Sequence, residues 1–163
     1  MLITVLVCLF GAAVWTADAA PAKAASAFES IKALEGEWKG QRDDGGKVEV
    51  SYQVFSGGSA VVEILAPVGE PSMVTVYHMD GDDLRMTHYC AAKNQPRMKA
   101  ISVSPDGKRV SFEFIDATNL GPTDGHMNNL ELDLSDSDHI RHKWTWLENG
   151  QKRDSVFELE RVK

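Results

Sequence analysis

From Trp38 to Val162 the chain alternates. About ten short runs place an apolar residue at every second position, with clusters of Gly, Pro, Asn, Asp and Ser between them. Val48, Val50, Tyr52 and Val54 form one such set. Leu130, Leu132 and Leu134 form another, as do Ile140, His142, Trp144 and Trp146, and Ser155, Phe157, Leu159 and Arg161. A period of two sends successive side chains to opposite faces of a strand, and nothing after Gly36 keeps a helical period. The pattern predicts strands at Trp38–Arg42, Lys47–Phe55, Ser59–Leu65, Met73–Met79, Asp83–Tyr89, Arg97–Ser104, Lys108–Asp116, His126–Leu134, His139–Glu148 and Lys152–Val162. The expected class is all-β: an up-and-down antiparallel β-barrel of about ten strands with one short N-terminal helix.

One hairpin assigns the faces. Asp80-Gly81-Asp82 is a tight-turn signal, because Gly takes a positive φ without steric cost. A turn there sets Tyr77 opposite Leu84 or Met86. Met73, Thr75, Tyr77, Leu84, Met86, His88 and Cys90 then share one face, and Val74, Val76, His78, Arg85, Thr87 and Tyr89 the other. The first set carries the bulk and no formal charge, so it is the expected interior. His78 and His88 fall on opposite faces and cannot share a metal.

Connection lengths then separate two ends. Ser56-Gly57-Gly58, Asp80-Gly81-Asp82, Pro105-Asp106-Gly107 and Ser135-Asp136-Ser137 are tight, whereas Ala66–Ser72, Ala91–Pro96 and Ala117–Gly125 are long. In a meander alternate connections share an end, so one end is expected closed and the other an open mouth. Closure of the sheet also removes exposed strand edges. The N-terminal helix enters at the tight-turn end, where it would stopper the base.

Ahead of the barrel, Leu2–Trp15 is an apolar run followed by Ala17-Asp18-Ala19, the form of a secretory signal peptide. The division expected is a signal peptide over 1–19, a linker over 20–25 and a barrel domain over 26–163, exported to periplasm or medium without a stable membrane anchor. Ser26 is placed to cap a helix with Glu29 in a capping box, Phe28, Ile31 and Leu34 form its apolar stripe, and Gly36 ends it. Cleavage would remove Cys8 and leave Cys90 without a disulfide partner, so packing must supply the stability. The net charge of −7 is spread along the chain and opposes nucleic acid or an anionic membrane as partner.

Gly36-Glu37-Trp38 on the first strand, the helix before it and Arg161 on the last strand resemble the lipocalin and calycin pattern. The resemblance implies that Trp38 sits at the barrel base with Arg161 packed across it. The strand count is nearer the fatty-acid-binding and nitrobindin branches, and His88-Tyr89-Cys90 through Arg97 resembles uncharacterised exported bacterial lipocalin-like proteins. Nitrobindins bind haem and begin with Gly-x-Trp-x-Gly-x-Gly. Gly36, Trp38 and Gly40 match, but Arg42 stands where the next Gly belongs. Their haem-ligating histidine lies on the final strand, and Lys152–Val162 contains none. The resemblance argues against haem held in that manner.

Strand direction brings His88, Cys90, Arg97, Asn119 and His126 toward one rim. His88 and Cys90 share a face, about 6.5–7 Å apart between Cα atoms. An imidazole beside a thiol can make a thiolate nucleophile or, with a third ligand such as His126, a zinc-type site. The competing reading makes Cys90 a small filler and His88 a hydrogen-bonded pocket histidine. His139 and His142 fall on opposite faces, which leaves His142 inside with Trp144 and Trp146. Asp80, Asp82 and Asp83 read as solvated turn carboxylates. No nucleophile elbow, phosphate loop, zinc-protease helix or Ca²⁺ loop occurs.

The expected function is binding of a small, largely apolar molecule inside the barrel, without a cofactor. Met73, Tyr77, Met86, His88, Cys90, His142, Trp144, Trp146 and Phe157 are the expected lining, with His88, Arg97, Asn119 and His126 at the mouth. Gly36, Trp38 and Arg161 are the structural set. The alternatives are a haem or divalent-metal site on His88, Cys90 or His126, and an enzyme of isomerase or thiol type using His88 and Cys90.

Overall fold

A computed structural model of the protein describes residues 19–163. The export segment expected over 1–19 lies, apart from Ala19, outside the described residues. Helix α1 (Ala19–Lys32) leads into ten strands: β1 (Gly36–Arg42), β2 (Lys47–Phe55), β3 (Ala60–Pro67), β4 (Met73–Asp80), β5 (Asp83–Tyr89), β6 (Gln95–Val103), β7 (Arg109–Thr118), β8 (His126–Asp133), β9 (His139–Glu148) and β10 (Gln151–Arg161). Each strand pairs antiparallel with its sequence neighbours, and β1 pairs with β10 to close the barrel. The ends differ from the alternation by two residues at most.

The hairpin register is the one the Gly81 turn implies. Tyr77 lies opposite Met86 and Thr75 opposite His88. Thr75, Tyr77, Leu84, Met86 and His88 are buried, and Tyr89 is half exposed on the outer wall. The core runs the length of the barrel from Trp38, Val48 and Val50 through Tyr77, Met98 and Phe112 to Leu130, Trp144 and Phe157.

The helix departs from expectation at its start. It takes in the expected linker over 20–25, so Ser26 is an interior residue whose carbonyl accepts from the Ser30 hydroxyl (3.1 Å), not a cap. Alanine favours the helix, and Pro21 is tolerated in a first turn where N–H groups have no carbonyl partner. Ala24, Ala27, Phe28 and Ile31 form the buried stripe, joined by Leu34 beyond the helix. The helix ends at Lys32, and Gly36 opens β1 instead of terminating it.

That stripe stoppers one end. Gly107, in the tight turn between β6 and β7, has φ +71°, and any side chain there would collide with the backbone of Ser26 and Ala27. Trp38 and Arg161 are directly paired across β1 and β10, with the guanidinium 4.2 Å from the ring centroid. The Arg161 guanidinium also donates to the carbonyls of Ala33, Glu35 and Ser137, and the Trp38 indole donates to Leu34 O at 2.9 Å. The base is therefore closed by helix, indole and guanidinium together. Among the described residues no helix is long and apolar enough to cross a membrane.

Candidate functional site

The inward row across β2 to β5 is polar in the middle of an apolar barrel. Tyr52 lies opposite Glu63, Glu63 opposite Thr75, and Thr75 opposite His88. All four side chains are buried. Its members largely satisfy one another, as buried polar groups must, although Glu63 Oε1 and His142 Nδ1 keep no partner within the protein. The Tyr77 hydroxyl donates to Glu63 Oε2 at 2.6 Å and the Tyr52 hydroxyl to the same oxygen at 3.1 Å. Tyr52 also meets His142 Nε2 at 2.8 Å, and the Thr75 hydroxyl meets His88 Nδ1 at 2.9 Å. Glu63 was not singled out from the sequence, yet among the described residues it is the one buried carboxylate side chain.

Desolvation governs the charge state of this row. It pushes the Glu63 carboxyl up to about 7, against the two tyrosine hydroxyls that favour the ionised form. It pushes His142 down to about 3 and His88 down to about 4. Both imidazoles are therefore uncharged near neutral pH.

Toward the mouth the row opens on a cavity of about 260 Å³. Leu65, Met73, Met127, Trp144, Trp146 and Phe157 form its apolar walls; His88, Cys90 and Ser155 add polar atoms; Ala91 and Ala92 lie at its edge. His88 is tilted against Trp144 with ring centroids 4.5 Å apart. His88 Nε2 and Trp144 Nε1 are buried and make no hydrogen bond within the protein. At the rim the Arg42 guanidinium is held between Asp44 (2.9 Å) and Glu70 (2.9 Å), and these carboxylates raise its pKa further. Asn94 Nδ2 donates to Gly125 O at 2.9 Å and ties two of the three long mouth loops together. A side chain at Gly125 would run into the Trp146 ring.

Not every expected lining residue reaches the cavity. Met73, His88, Cys90, Trp144, Trp146 and Phe157 do. Tyr77, Met86 and His142 lie in the packed interior. Arg97 is a correction: it faces outward opposite Thr87 and forms a two-pronged ion pair with Asp116 at 2.5 and 2.6 Å. The neighbouring Met98 takes the inward position opposite Met86. Asn119 is a second correction. It is exposed in a left-handed turn (φ 54°) and donates to Gln95 Oε1 at 2.8 Å. His126 packs tilted against Phe114, with ring centroids 4.4 Å apart and both ring nitrogens buried without a partner.

The thiol reading loses its electrostatic basis. Burial pushes the Cys90 thiol up, and the neutral His88 supplies no positive charge to counter it. Among the described residues no three His, Cys, Asp or Glu side chains gather as a metal-holding group. His139 is exposed beside Asp136, whereas His142 is buried. In the β4–β5 turn Asp80 pairs with Arg85 at 3.0 Å and Asp83 with Lys99 at 2.9 Å. A larger hollow of about 600 Å³ on the outer wall, around Lys39, Lys47, Glu49, Glu158 and Glu160, is open and of mixed charge. The mouth cavity has the mostly apolar lining that small-molecule sites share.

No protein family and no curated protein matches this chain. Solved structures do match, among them one similar in fold. The crystal structure of Rv2717c from M. tuberculosis fits with a TM-score of 0.52 at 17% identity, over 84% of this chain and 98% of that one. The structure of EF1p2_mFAP2b bound to DFHBI fits with a TM-score of 0.32 at 10% identity, over 83% of this chain and 98% of that one. At these identities the first likeness is one of fold alone, and the second is too distant to bear on the site. The chain is thus a closed ten-stranded antiparallel barrel with a helical stopper and a cavity at its opposite end.

Proposed function

We propose that this protein is an exported, lipocalin-like barrel that takes up a small, largely apolar molecule through its mouth and holds it against Trp144, Phe157 and His88. The observation that carries the reading is the mouth cavity, with apolar walls and two wall residues whose buried nitrogens, His88 Nε2 and Trp144 Nε1, have no partner in the protein. Buried polar atoms are normally paired, so an unpaired donor or acceptor on a pocket wall is a position for a ligand atom or water. Export rests on the Leu2–Trp15 run and its small-residue cleavage site.

The reading includes no resident haem. β10 turns Ser155, Phe157 and Leu159 inward and offers no histidine, so the ligation implied by the nitrobindin resemblance has no residue here. His88 is a nitrogen donor at the cavity, but about 260 Å³ lies below the roughly 300–1,000 Å³ of ordinary ligand pockets and does not suit a macrocycle.

Native mass spectrometry of protein isolated from its own host tests the reading. A stoichiometric small-molecule adduct is expected in the wild type, and Ser155→Phe, which fills the cavity from β10, should abolish it. An empty wild-type barrel, or an adduct indifferent to Ser155→Phe, overturns the proposal.

A further inference from the structure

We infer that the barrel selects an uncharged ligand: a one- or two-ring neutral compound with a single hydrogen-bonding group, not a fatty-acid carboxylate, phosphate ester or amine. This deepens the small-molecule reading and rests on it.

Among the described residues, the buried polar and charged side chains are Glu63, Thr75, His88, Asn94, His142 and Thr145, and none of them is Lys or Arg. At the base Arg161 is committed to the Trp38 ring and three backbone carbonyls. Among the described residues the one Lys or Arg lining the cavity is Arg42, which is already held by two carboxylates. An anionic ligand head would have to displace Asp44 or Glu70, or else be buried with no counter-charge, which is strongly unfavourable. His88 offers no positive charge either, because it sits 2% exposed with its Nδ1 on the Thr75 hydroxyl and its ring against Trp144.

A cation fares no better. Glu70 at the rim is spent on Arg42. Glu63 is sealed beneath the cavity by Tyr52 and Tyr77 and is not among the lining residues. What the cavity does offer is flat aromatic and sulfur surface from Trp144, Trp146, Phe157, Met73 and Met127, together with the unpaired nitrogens of His88 and Trp144. Offset stacking and sulfur–ring contacts favour a planar apolar body. One neutral hydroxyl then satisfies the imidazole nitrogen in whichever tautomer Thr75 imposes, and a carbonyl does so where Nε2 carries the proton.

Near-isosteric probes that differ only in charge test this. Phenylpropanol, phenylpropanoate and phenylpropylamine are titrated calorimetrically into the wild-type protein near neutral pH. Labelling of Cys90, which lines the cavity, is followed in parallel by peptide mass spectrometry. The alcohol should bind at least about tenfold more tightly than either ion and should slow the labelling. Anion or amine binding as tight as the alcohol, with Cys90 protected, overturns the charge inference and leaves small-molecule binding standing. Alcohol binding without protection of Cys90 removes the site from the mouth cavity. If none of the three binds and host-purified protein carries no adduct, both readings fall.

Discussion

Arg161 lies flat over Trp38, with the guanidinium 4.2 Å from the ring centroid, and ties the first strand to the last at the stoppered end of the barrel. The same guanidinium donates to Ala33 O, Glu35 O and Ser137 O, so one side chain binds the end of the helix, the first strand and the last tight turn. Arg161→Met keeps the stem and removes the plane and its donors. It should destabilise the fold by about 1–3 kcal/mol in urea unfolding, from the lost stacking and charged hydrogen bonds. Arg161→Lys should recover less than half of that, because an ammonium cannot both stack and reach three carbonyls. Full recovery by lysine would contradict the planar role.

Much of this frame was legible beforehand, for identifiable reasons. Asp80-Gly81-Asp82 permits few turns, so the pairing of Tyr77 with Met86 and the inward face of His88 followed from one glycine. Connection lengths located the mouth. Glu63 escaped notice because Val61, Val62, Ile64 and Leu65 around it are apolar on both faces, which hides the alternation and makes a glutamate look like the exposed member. Its signal lay one strand away, since pairing with an inward Tyr52 forces Glu63 inward too. Arg97 was misplaced because the loop before it does not fix the register with which β6 returns. Asn119 was misplaced because a left-handed turn residue leaves the strand alternation altogether.

Stability should pass through a maximum near pH 6.5. Glu63 titrates at about 7 in the folded protein against an ordinary 4.5, so its contribution is complete below about 4.5 and is lost as pH rises through about 7. His88 and His142 are pushed from 6.5 to about 4 and about 3, so theirs is complete above 6.5 and is lost as pH falls toward those values. Between about 4.5 and 6.5 two histidines outweigh one carboxyl, and net stability rises by about 1 kcal/mol per pH unit. Glu63→Gln should steepen that acid limb and remove the decline above pH 6.5. Urea midpoints across pH 4–8 read both changes.

The tyrosines around Glu63 should be unequal. Tyr77→Phe removes one donor from Glu63 Oε2, at an expected cost of about 1–3 kcal/mol. Tyr52→Phe takes a donor from the same oxygen, which keeps the Tyr77 hydroxyl, and also leaves His142 Nε2 without a partner, so it loses two hydrogen bonds, strands a buried nitrogen and should cost more. Either change should raise the Glu63 pKa further, because both hydroxyls favour the carboxylate. Equal urea midpoints for the two variants would show that the Tyr52–His142 contact contributes little.

Cys90 decides between a thiol enzyme and a binding barrel. A reactive thiolate needs a positive neighbour, whereas this thiol is pushed up by burial and faces a neutral His88. Reaction with a thiol reagent near neutral pH should therefore run slower than that of a free cysteine and climb steeply into the alkaline range. His88→Phe keeps an aromatic ring against Trp144, at slightly greater volume, while deleting the imidazole. If His88 activates Cys90, that variant slows the thiol by an order of magnitude or more; if the two are only neighbours on one wall, the pH–rate profile keeps its midpoint. The shared burial of the pair predicts the second outcome, since the medium that keeps the imidazole neutral also disfavours the thiolate beside it.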